Sequence, residues 1–233
     1  MIEHLSKKGF TILPDVFSGE ELSAISQAID SSINNTPDFR QNKDLFAIRR
    51  FFQAVPEAGK LVWNRNLIRI VKELCGQGYF VVKSIYFDKP SLSNWFVSWH
   101  QDLTISVDQK IDSPGFLHWT EKLGQIAVQP PVNILESIYT IRIHLDDCDE
   151  SNGALRVVQG SHSKGVIRAE TMPVPVQEML CEVKAGGVMI MRPLLMHSSK
   201  RSTSERQRRV IHIEISNLEL PDGMKWGEKG IEI

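Results

Sequence analysis

The spacing of hydrophobic residues in the first third of the chain is typical of helices. Residues 9–14 form a short apolar segment that ends at a proline, which predicts one strand before the first long helix. Ser18 with Glu21 three residues later has the pattern of a capping box, and three apolar residues follow at helical spacing. A second helix is predicted over residues 66–74, with Gly76 as its stop signal.

After residue 78 the pattern changes to short segments that are typical of strands. The clearest strand is predicted over residues 138–146, where apolar and polar residues alternate strictly from Ile141 to Leu145. Shorter strands are predicted near residues 79–87, 96–100, 154–158, 180–184, 187–192 and 209–216. Helices followed by many short strands predict an α+β chain, mainly β, whose C-terminal two-thirds is a β-sandwich or jelly roll.

No internal repeat, low-complexity segment or long linker divides the chain, so we expect one domain over residues 1–233. Within it we expect a helical part over residues 1–78 and a β-rich core over residues 79–218. Residues 109–136 are predicted to be a long irregular insertion, because a Pro-Gly and a Pro-Pro pair interrupt them. Loops of this length in a compact domain commonly act as lids or binding loops.

Composition and charge exclude several classes of protein. The 27 Lys and Arg residues nearly balance the 28 Asp and Glu residues, so the basic excess of a nucleic-acid binder is absent. No apolar run approaches the roughly 18–20 residues of a membrane span, and no signal peptide is expected. Three widely spaced cysteines without a CxxC pair favour a reducing, cytoplasmic protein. We therefore expect a small-molecule substrate, no nucleic acid or membrane partner, and a monomer or homodimer.

Three His-x-acid pairs are the main candidates for metal chemistry. Period two places both side chains of such a pair on one face of a strand, so one strand can supply two ligands to one ion. A distant histidine would complete the two-His-one-carboxylate triad of non-haem Fe(II) oxygenases. The pairs are His100-Asp102, His144-Asp146 and His212-Glu214, and His197 is the candidate for the distant ligand. Spacing alone does not choose among the pairs, but the first one ends a β-rich stretch just before the insertion, which favours it.

Four arginines follow His197, and two of them, Arg208 and Arg209, lie where the last predicted strand begins. Arg208 shares a strand face with polar residues that could line a cavity, whereas Arg209 shares a face with three isoleucines that are typical of a core. An arginine that faces into a barrel could bind a carboxylate through two hydrogen bonds. We prefer Arg208 over Arg209 for this role.

These residues together resemble the phytanoyl-CoA dioxygenase family of Fe(II)- and 2-oxoglutarate-dependent oxygenases. The similar segments are residues 9–29, residues 84–90 leading to Trp-His-Gln-Asp at 99–102, and residues 143–162. The last segment is the most specific, although Gln159 stands where the family usually has Pro. His197, with a serine two residues later and an arginine eleven residues later, matches the family's spacing of distal iron ligand and co-substrate arginine.

The resemblance implies a double-stranded β-helix, the jelly-roll core of cupin-like proteins, flanked by N-terminal helices. It implies His100, Asp102 and His197 as iron ligands, and Arg208 with Ser199 as the residues that bind 2-oxoglutarate. It also implies oxidation with O2 that releases succinate and CO2, and the carboxylate of Asp102 argues for hydroxylation. The mixture of aromatic and polar residues in the insertion over residues 109–136 favours a small or medium polar metabolite as the substrate. His144-Asp146 is a structural strand and turn in this family, so it is not expected to bind the metal.

One departure from the family concerns Arg142, where members often have an aromatic or apolar residue. If the polar face of its strand points into the barrel, Arg142 is a buried cation beside the metal, and we expect it to contact 2-oxoglutarate or an anionic substrate. Further candidates for substrate contacts are Trp99, His118, Trp119, Gln129 and His144, with Lys83 and Trp95 as other candidate members of the pocket. Two alternatives stay open: another cupin-type metal enzyme, a hydrolase or isomerase, or a non-catalytic binding domain.

Overall fold

The computed structural model describes residues 2–32, 39–41, 46–93, 95–122, 124–167, 177–230 and 232–233. The helices in these ranges are α1 (Ile2–Lys8), α2 (Gly19–Ser32), α3 (Phe51–Ala54), α4 (Pro56–Val62), α5 (Arg65–Cys75) and α6 (Val132–Ser137). The first strands are β1 (Phe10–Leu13), β2 (Phe39–Gln41), β3 (Phe46–Arg49), β4 (Phe80–Lys89), β5 (Val97–His100), β6 (Ile105–Val107) and β7 (Leu117–Lys122). The remaining strands are β8 (Gln125–Gln129), β9 (Tyr139–His144), β10 (Leu155–Val157), β11 (Met179–Cys181), β12 (Val188–Met191), β13 (His197–Ser199) and β14 (Arg208–Ser216).

Two antiparallel sheets form the jelly roll. The larger sheet has the strand order β1-β12-β9-β14-β4-β3-β2, and the smaller one has the order β11-β10-β13-β5. Strands β9 and β14 pair with Ile141 opposite Ile213 and with Arg142 opposite His212. Since period two separates these pairs, the central strands present isoleucines on one face and polar residues on the other.

The isoleucine face of the larger sheet packs against the helices. The isoleucines of β9 and β14 share one buried cluster with residues of α2, α4 and α5. The predicted capping box begins α2, since the backbone N–H of Glu21 donates to the Ser18 hydroxyl at 3.2 Å and the Glu21 carboxylate accepts from the Ser18 N–H at 2.8 Å. The side chain of Asn64 caps α5 by accepting from the Leu67 N–H. The helices therefore cover the outside of the barrel and leave the polar face inside.

Two parts of the chain differ from the sequence-based expectation. Residues 1–78 are not purely helical, because β1, β2 and β3 join the larger sheet at its two edges. The prediction of an irregular insertion over residues 109–136 is wrong, since β7 and β8 form a hairpin that pairs with β6 in a third sheet. Most side chains of β7 are exposed, so this hairpin lacks the alternation of buried and exposed residues that identifies a strand in a sequence.

No helix of the described residues is long and apolar enough to cross a membrane.

Candidate active site

Two histidines and one aspartate meet where strands β5 and β13 pair. His100 ends β5 and lies directly opposite His197, the first residue of β13. Their rings are 4.1 Å apart between centroids. Asp102 follows two residues after His100, with carboxylate oxygens 3.6 Å from Nε2 of His100 and 3.7 Å from Nε2 of His197. The ligand atoms of all three residues lie within 4.8 Å of one another.

Backbone carbonyls orient both imidazole rings. Nδ1 of His100 lies 2.8 Å from the carbonyl oxygen of Ser98, and Nδ1 of His197 lies 2.8 Å from that of Leu195. A ring nitrogen that faces a carbonyl must carry the hydrogen and donate it, so Nε2 of each ring keeps its lone pair for a metal. Both Nε2 atoms face the carboxylate of Asp102.

Gln101 holds the turn between the first two ligand residues. Its side chain is buried and donates to the carbonyl oxygens of Gly165 at 2.9 Å and Leu194 at 2.7 Å. Its amide oxygen accepts from the Ile167 N–H at 2.8 Å. The residue between the two ligands is thus fixed from three directions, although the sequence analysis did not single it out.

The three residues fit a divalent transition metal. Oδ2 of Asp102 is buried and has no hydrogen-bond partner among the described residues. Atoms that share one ion at about 2.1 Å lie roughly 3–4 Å apart, which agrees with the carboxylate-to-imidazole distances. Burial lowers the pKa of His197 to about 4, so its ring is neutral at physiological pH. Burial acts to raise the pKa of Asp102, but His197 and His100 hold it well below its usual range.

A cavity of about 180 Å³ opens beside these residues, between the two sheets. Its walls combine apolar, cationic and acidic side chains from both sheets and from the segment before β5. They are Lys83, Ile85, Phe87, Trp95, Val97, His100, Asp102, Arg142, Leu155, His197, Ser199, Arg208, His212 and Glu214.

Arg208 and Arg209 lie on opposite sides of β14. Arg208 is buried at the cavity and donates from Nη1 to the carbonyl oxygen of Gly153, while its Nε has no partner among the described residues. Gly153 has a φ of 83°, and a Cβ there would lie 2.7 Å from the backbone carbonyl oxygen of Lys200, so glycine is required. Arg209 instead binds Asp146 with Nε and Nη2 at 2.9 and 2.7 Å. Only Arg208 of these two is therefore in the cavity.

A second polar chain crosses the wall opposite the ligand residues. Lys83 donates to Glu214 at 2.8 Å, and the same carboxylate oxygen lies 3.2 Å from Nε2 of His212. Nη1 of Arg142 lies 3.2 Å from Nδ1 of His212. Burial acts to lower the pKa of Lys83, yet the charge of Glu214 raises it above its usual value, so the pair is ionised.

Arg142 is 8% exposed, faces the cavity and makes no ion pair among the described residues. Burial, together with repulsion from Arg208, lowers the pKa of Arg142 to about 10. His144, two residues further along the same face, is also buried, and neither of its ring nitrogens has a partner in the described part of the chain. Burial, with the nearby Arg142, lowers the pKa of His144 well below its usual value.

Several predicted substrate contacts lie away from this cavity. His118 and Trp119 belong to β7 and Gln129 to β8, and none of the three lines the cavity. They lie instead in the third sheet, where Gln129 pairs with Leu117. Trp99 lines a different cleft, on the outer side of β5. The structure therefore does not bring these four residues to the ligand residues.

His212 and Glu214, one of the three candidate metal pairs, line the cavity but are not part of the group that could hold a metal ion. Their signal was the polar face that they share with Arg208 on β14. The third pair, His144-Asp146, is divided between the two sides of the sheet, since His144 is buried beside Arg142 and Asp146 binds Arg209 outside. Among the described residues, one group could hold a metal ion, and it is formed by His100, Asp102 and His197.

Comparison with known proteins agrees with this geometry. The model of the phytanoyl-CoA dioxygenase family, PhyH, matches residues 5–210. The chain belongs to this family. It is 24% identical over 169 residues to the ectoine dioxygenase of Bordetella bronchiseptica, an alignment that covers 69% of this chain and 48% of the relative. The chain thus spans about half the length of the curated relative that it matches.

Solved structures show the same fold at low sequence identity. The EctD protein of S. alaskensis, solved with 2-oxoglutarate and 5-hydroxyectoine, has a TM-score of 0.70 and 17% identity, over 92% of this chain and 74% of that one. The HygX protein of Streptomyces hygroscopicus, solved with nickel and 2-oxoglutarate, has a TM-score of 0.65 and 16% identity, over 100% and 96%. The predictions of a PhyH-family member and of a cupin-like jelly roll are confirmed. Membership of this family supports the predictions of an oxygenase enzyme, of iron as its metal, and of 2-oxoglutarate and O2 as its co-substrates.

Proposed function

We propose that this PhyH-family protein is an Fe(II)- and 2-oxoglutarate-dependent oxygenase that hydroxylates a small or medium polar metabolite and releases succinate and CO2. The observation that carries the proposal is the meeting of two histidines, one aspartate and a buried arginine at one cavity. Two His ligands and one carboxylate leave positions open for a co-substrate and O2. Two solved proteins of the same fold hold 2-oxoglutarate.

The metal ligands in this proposal are Nε2 of His100, Nε2 of His197 and the carboxylate of Asp102. Bound Fe(II), with 2-oxoglutarate and O2, supplies the oxidising chemistry. The protein holds the two rings through the carbonyls of Ser98 and Leu195, which fixes their tautomer and raises the basicity of Nε2. The carboxylate of Asp102 also occupies a ligand position that a halide would need in a halogenating enzyme. This favours hydroxylation over halogenation.

Arg208 is the proposed partner of the distal carboxylate of 2-oxoglutarate. The Gly153 carbonyl accepts from one nitrogen of its guanidinium group, and that contact holds the group at the cavity. Donors on the same group are then available for a carboxylate, which arginine binds through two parallel hydrogen bonds. Ser199 lines the same cavity and offers a hydroxyl to the same carboxylate.

The remaining walls exclude water from the reacting atoms. Ile85, Phe87, Val97 and Leu155 give the cavity apolar surfaces near the polar groups. A site with few waters strengthens every charge interaction inside it and limits loss of reactive species to solvent.

Co-substrate binding and turnover test the proposal separately. Protein loaded with Fe(II) without oxygen is titrated with 2-oxoglutarate while the visible charge-transfer band is followed, and succinate is then measured after air is admitted with a panel of metabolites. We expect stoichiometric binding, succinate formation, and a dissociation constant for 2-oxoglutarate that rises roughly 10- to 100-fold in Arg208→Met, in keeping with about 1.5–3 kcal/mol for a charge-assisted contact.

Arg209→Met is the matched control, because Arg209 lies next to Arg208 but binds Asp146 outside the barrel. Its dissociation constant for 2-oxoglutarate should stay within about twofold of the wild-type value, since its charge lies beyond the apolar face of the sheet. Equal losses in both variants would contradict the role of Arg208. Failure of the wild-type protein to bind 2-oxoglutarate, together with tight retention of zinc, would favour a different cupin-type metal enzyme.

A further inference from the structure

The charges at the cavity do not balance around Arg142. The cavity is lined by the cations Lys83, Arg142 and Arg208 and by the carboxylates Asp102 and Glu214. Glu214 is taken by Lys83 at 2.8 Å. In the proposed function Asp102 binds the metal and Arg208 binds the distal carboxylate of 2-oxoglutarate. Among the described residues that line this cavity, Arg142 is then the cation without an ion-pair partner.

An arginine buried without an anion is costly, because the charge loses its water and gains nothing in return. Arg142 is 8% exposed and its Nε has no hydrogen-bond partner among the described residues. Its side chain nevertheless lines the cavity rather than the outer side of the sheet, where acidic partners such as Asp146 are found. The position of Arg142 is therefore explained by a ligand that enters the cavity.

The neighbours of Arg142 fix the group without neutralising it. Nε2 of His212 lies 3.2 Å from the Glu214 carboxylate and donates to it, so Nδ1 has a lone pair that accepts from Nη1 of Arg142 at 3.2 Å. The guanidinium is held at one nitrogen, and its other donors form the planar edge that matches a carboxylate.

We propose that Arg142 binds the substrate, and that this substrate is a small organic acid whose carboxylate pairs with the guanidinium. This inference rests on the proposed function, because Arg208 and the metal must already hold 2-oxoglutarate. The apolar walls at Ile85 and Phe87 suit the carbon skeleton of such an acid, and the cavity of about 180 Å³ limits its size.

Binding of matched acids and amides tests this inference without turnover. The probes are benzoate with benzamide and butyrate with butyramide, each titrated by calorimetry into protein loaded with Fe(II) and 2-oxoglutarate in the absence of oxygen. Each pair has nearly the same shape and differs in charge. We expect the wild-type protein to bind the acids at least tenfold more tightly than the amides, and Arg142→Met to lose this preference.

Two further measurements separate the roles of the two arginines. Arg142→Met should bind 2-oxoglutarate within about threefold of the wild-type affinity, whereas Arg208→Met should not. Arg142→Gln is a second variant that keeps a hydrogen-bond donor to His212, and it should lose the preference for acids as well. Arg209→Met, with the same loss of charge outside the barrel, should keep the preference.

The results that overturn this inference differ from those that overturn the proposed function. A wild-type protein that binds 2-oxoglutarate and forms succinate, but shows no preference for acids, refutes the inference alone. So does a preference that persists in Arg142→Met, or a loss of 2-oxoglutarate affinity in that variant as large as in Arg208→Met, which would make Arg142 part of the co-substrate site. A wild-type protein that binds no 2-oxoglutarate refutes both.

Discussion

Replacing Arg142 by methionine should make the ligand-free protein more stable. Methionine keeps the length of the side chain and most of its packing, but it removes a charge that is 8% exposed and makes no ion pair with another described residue. Residues that serve binding at the expense of the empty protein commonly show this exchange of stability for function. The change therefore tests whether Arg142 is placed for a ligand or for the fold.

The size of the effect follows from the pKa of Arg142, which burial and the charge of Arg208 lower to about 10. Since a tenfold change in acidity corresponds to about 1.4 kcal/mol, the fall from an ordinary value above 12 makes the charged side chain cost about 3 kcal/mol at neutral pH. The variant also loses the hydrogen bond from Arg142 to Nδ1 of His212, and this loss lowers the stability by about 1 kcal/mol. A net gain of about 2 kcal/mol should raise Tm by about 4–8 °C in a chain of this length.

Thermal melts followed by circular dichroism and urea unfolding, both without metal or carboxylates, measure this gain. Arg209→Met is the control, because it breaks the two hydrogen bonds to Asp146 and should lower stability by about 1 kcal/mol. The same loss of charge should therefore act in opposite directions on the two faces of one sheet.

A fall in Tm for Arg142→Met, comparable with that of Arg209→Met, would refute the reasoning. It would mean that contacts in the empty protein already compensate the charge of Arg142. An unchanged Tm would mean that water reaches the guanidinium and removes most of the cost. Either result would also weaken the assignment of an anionic substrate.

Three further predictions concern the metal, the cysteines and a buried lysine. His197→Ala should lose stoichiometric Fe(II) after dialysis, as measured by metal analysis, because it removes one of three converging ligand atoms; full retention would exclude His197 as a ligand. Burial raises the pKa of Cys75 and Cys181 to about 12 and also raises that of Cys148. All three thiols should therefore react slowly with iodoacetamide at pH 8. Rapid labelling of the folded protein, followed by mass spectrometry, would contradict this. Burial, with the charge of Arg208 nearby, lowers the pKa of Lys89 in the folded protein to about 8. A lysine in the unfolded chain keeps its proton to about pH 10.4. Because the unfolded chain then binds more protons than the folded protein between pH 8 and about 10.4, stability rises with pH over this range. Urea unfolding should therefore show the wild type gaining about 2 kcal/mol relative to Lys89→Met between pH 7 and 9.5, and a constant difference would be the contrary result.

The candidate ligand residues could be predicted from a local chemical spacing together with the resemblance to the family, because spacing alone left three His-x-acid pairs open. A His-x-Asp spacing and a distant histidine need no knowledge of packing, and the structure brings His100, Asp102 and His197 within 4.8 Å. The choice between Arg208 and Arg209 also followed from period two along one strand, and the structure places Arg208 at the cavity. Their roles stay predictions until binding is measured.

The third sheet and strand β13 could not be predicted from hydrophobic spacing. Strand β7 is mostly exposed, so neither of its faces carries an apolar signal. Strand β13 consists of one histidine and two serines, all buried. A strand that lines a polar cavity contradicts the rule that buried residues are apolar, and the rule fails where the site is formed.

The central strands also explain how the fold can tolerate such a polar interior. In β9 and β14 the isoleucines pack outward against α2, α4 and α5, while Arg142, His212 and Glu214 face inward. The apolar area of these two strands thus lies largely outside the barrel, beneath the helices, while a second buried cluster that includes Leu155, Met189 and Leu195 joins the two sheets. Substitutions on the inner face should change which ligand binds more than whether the chain folds, as the expected gain in stability of Arg142→Met implies.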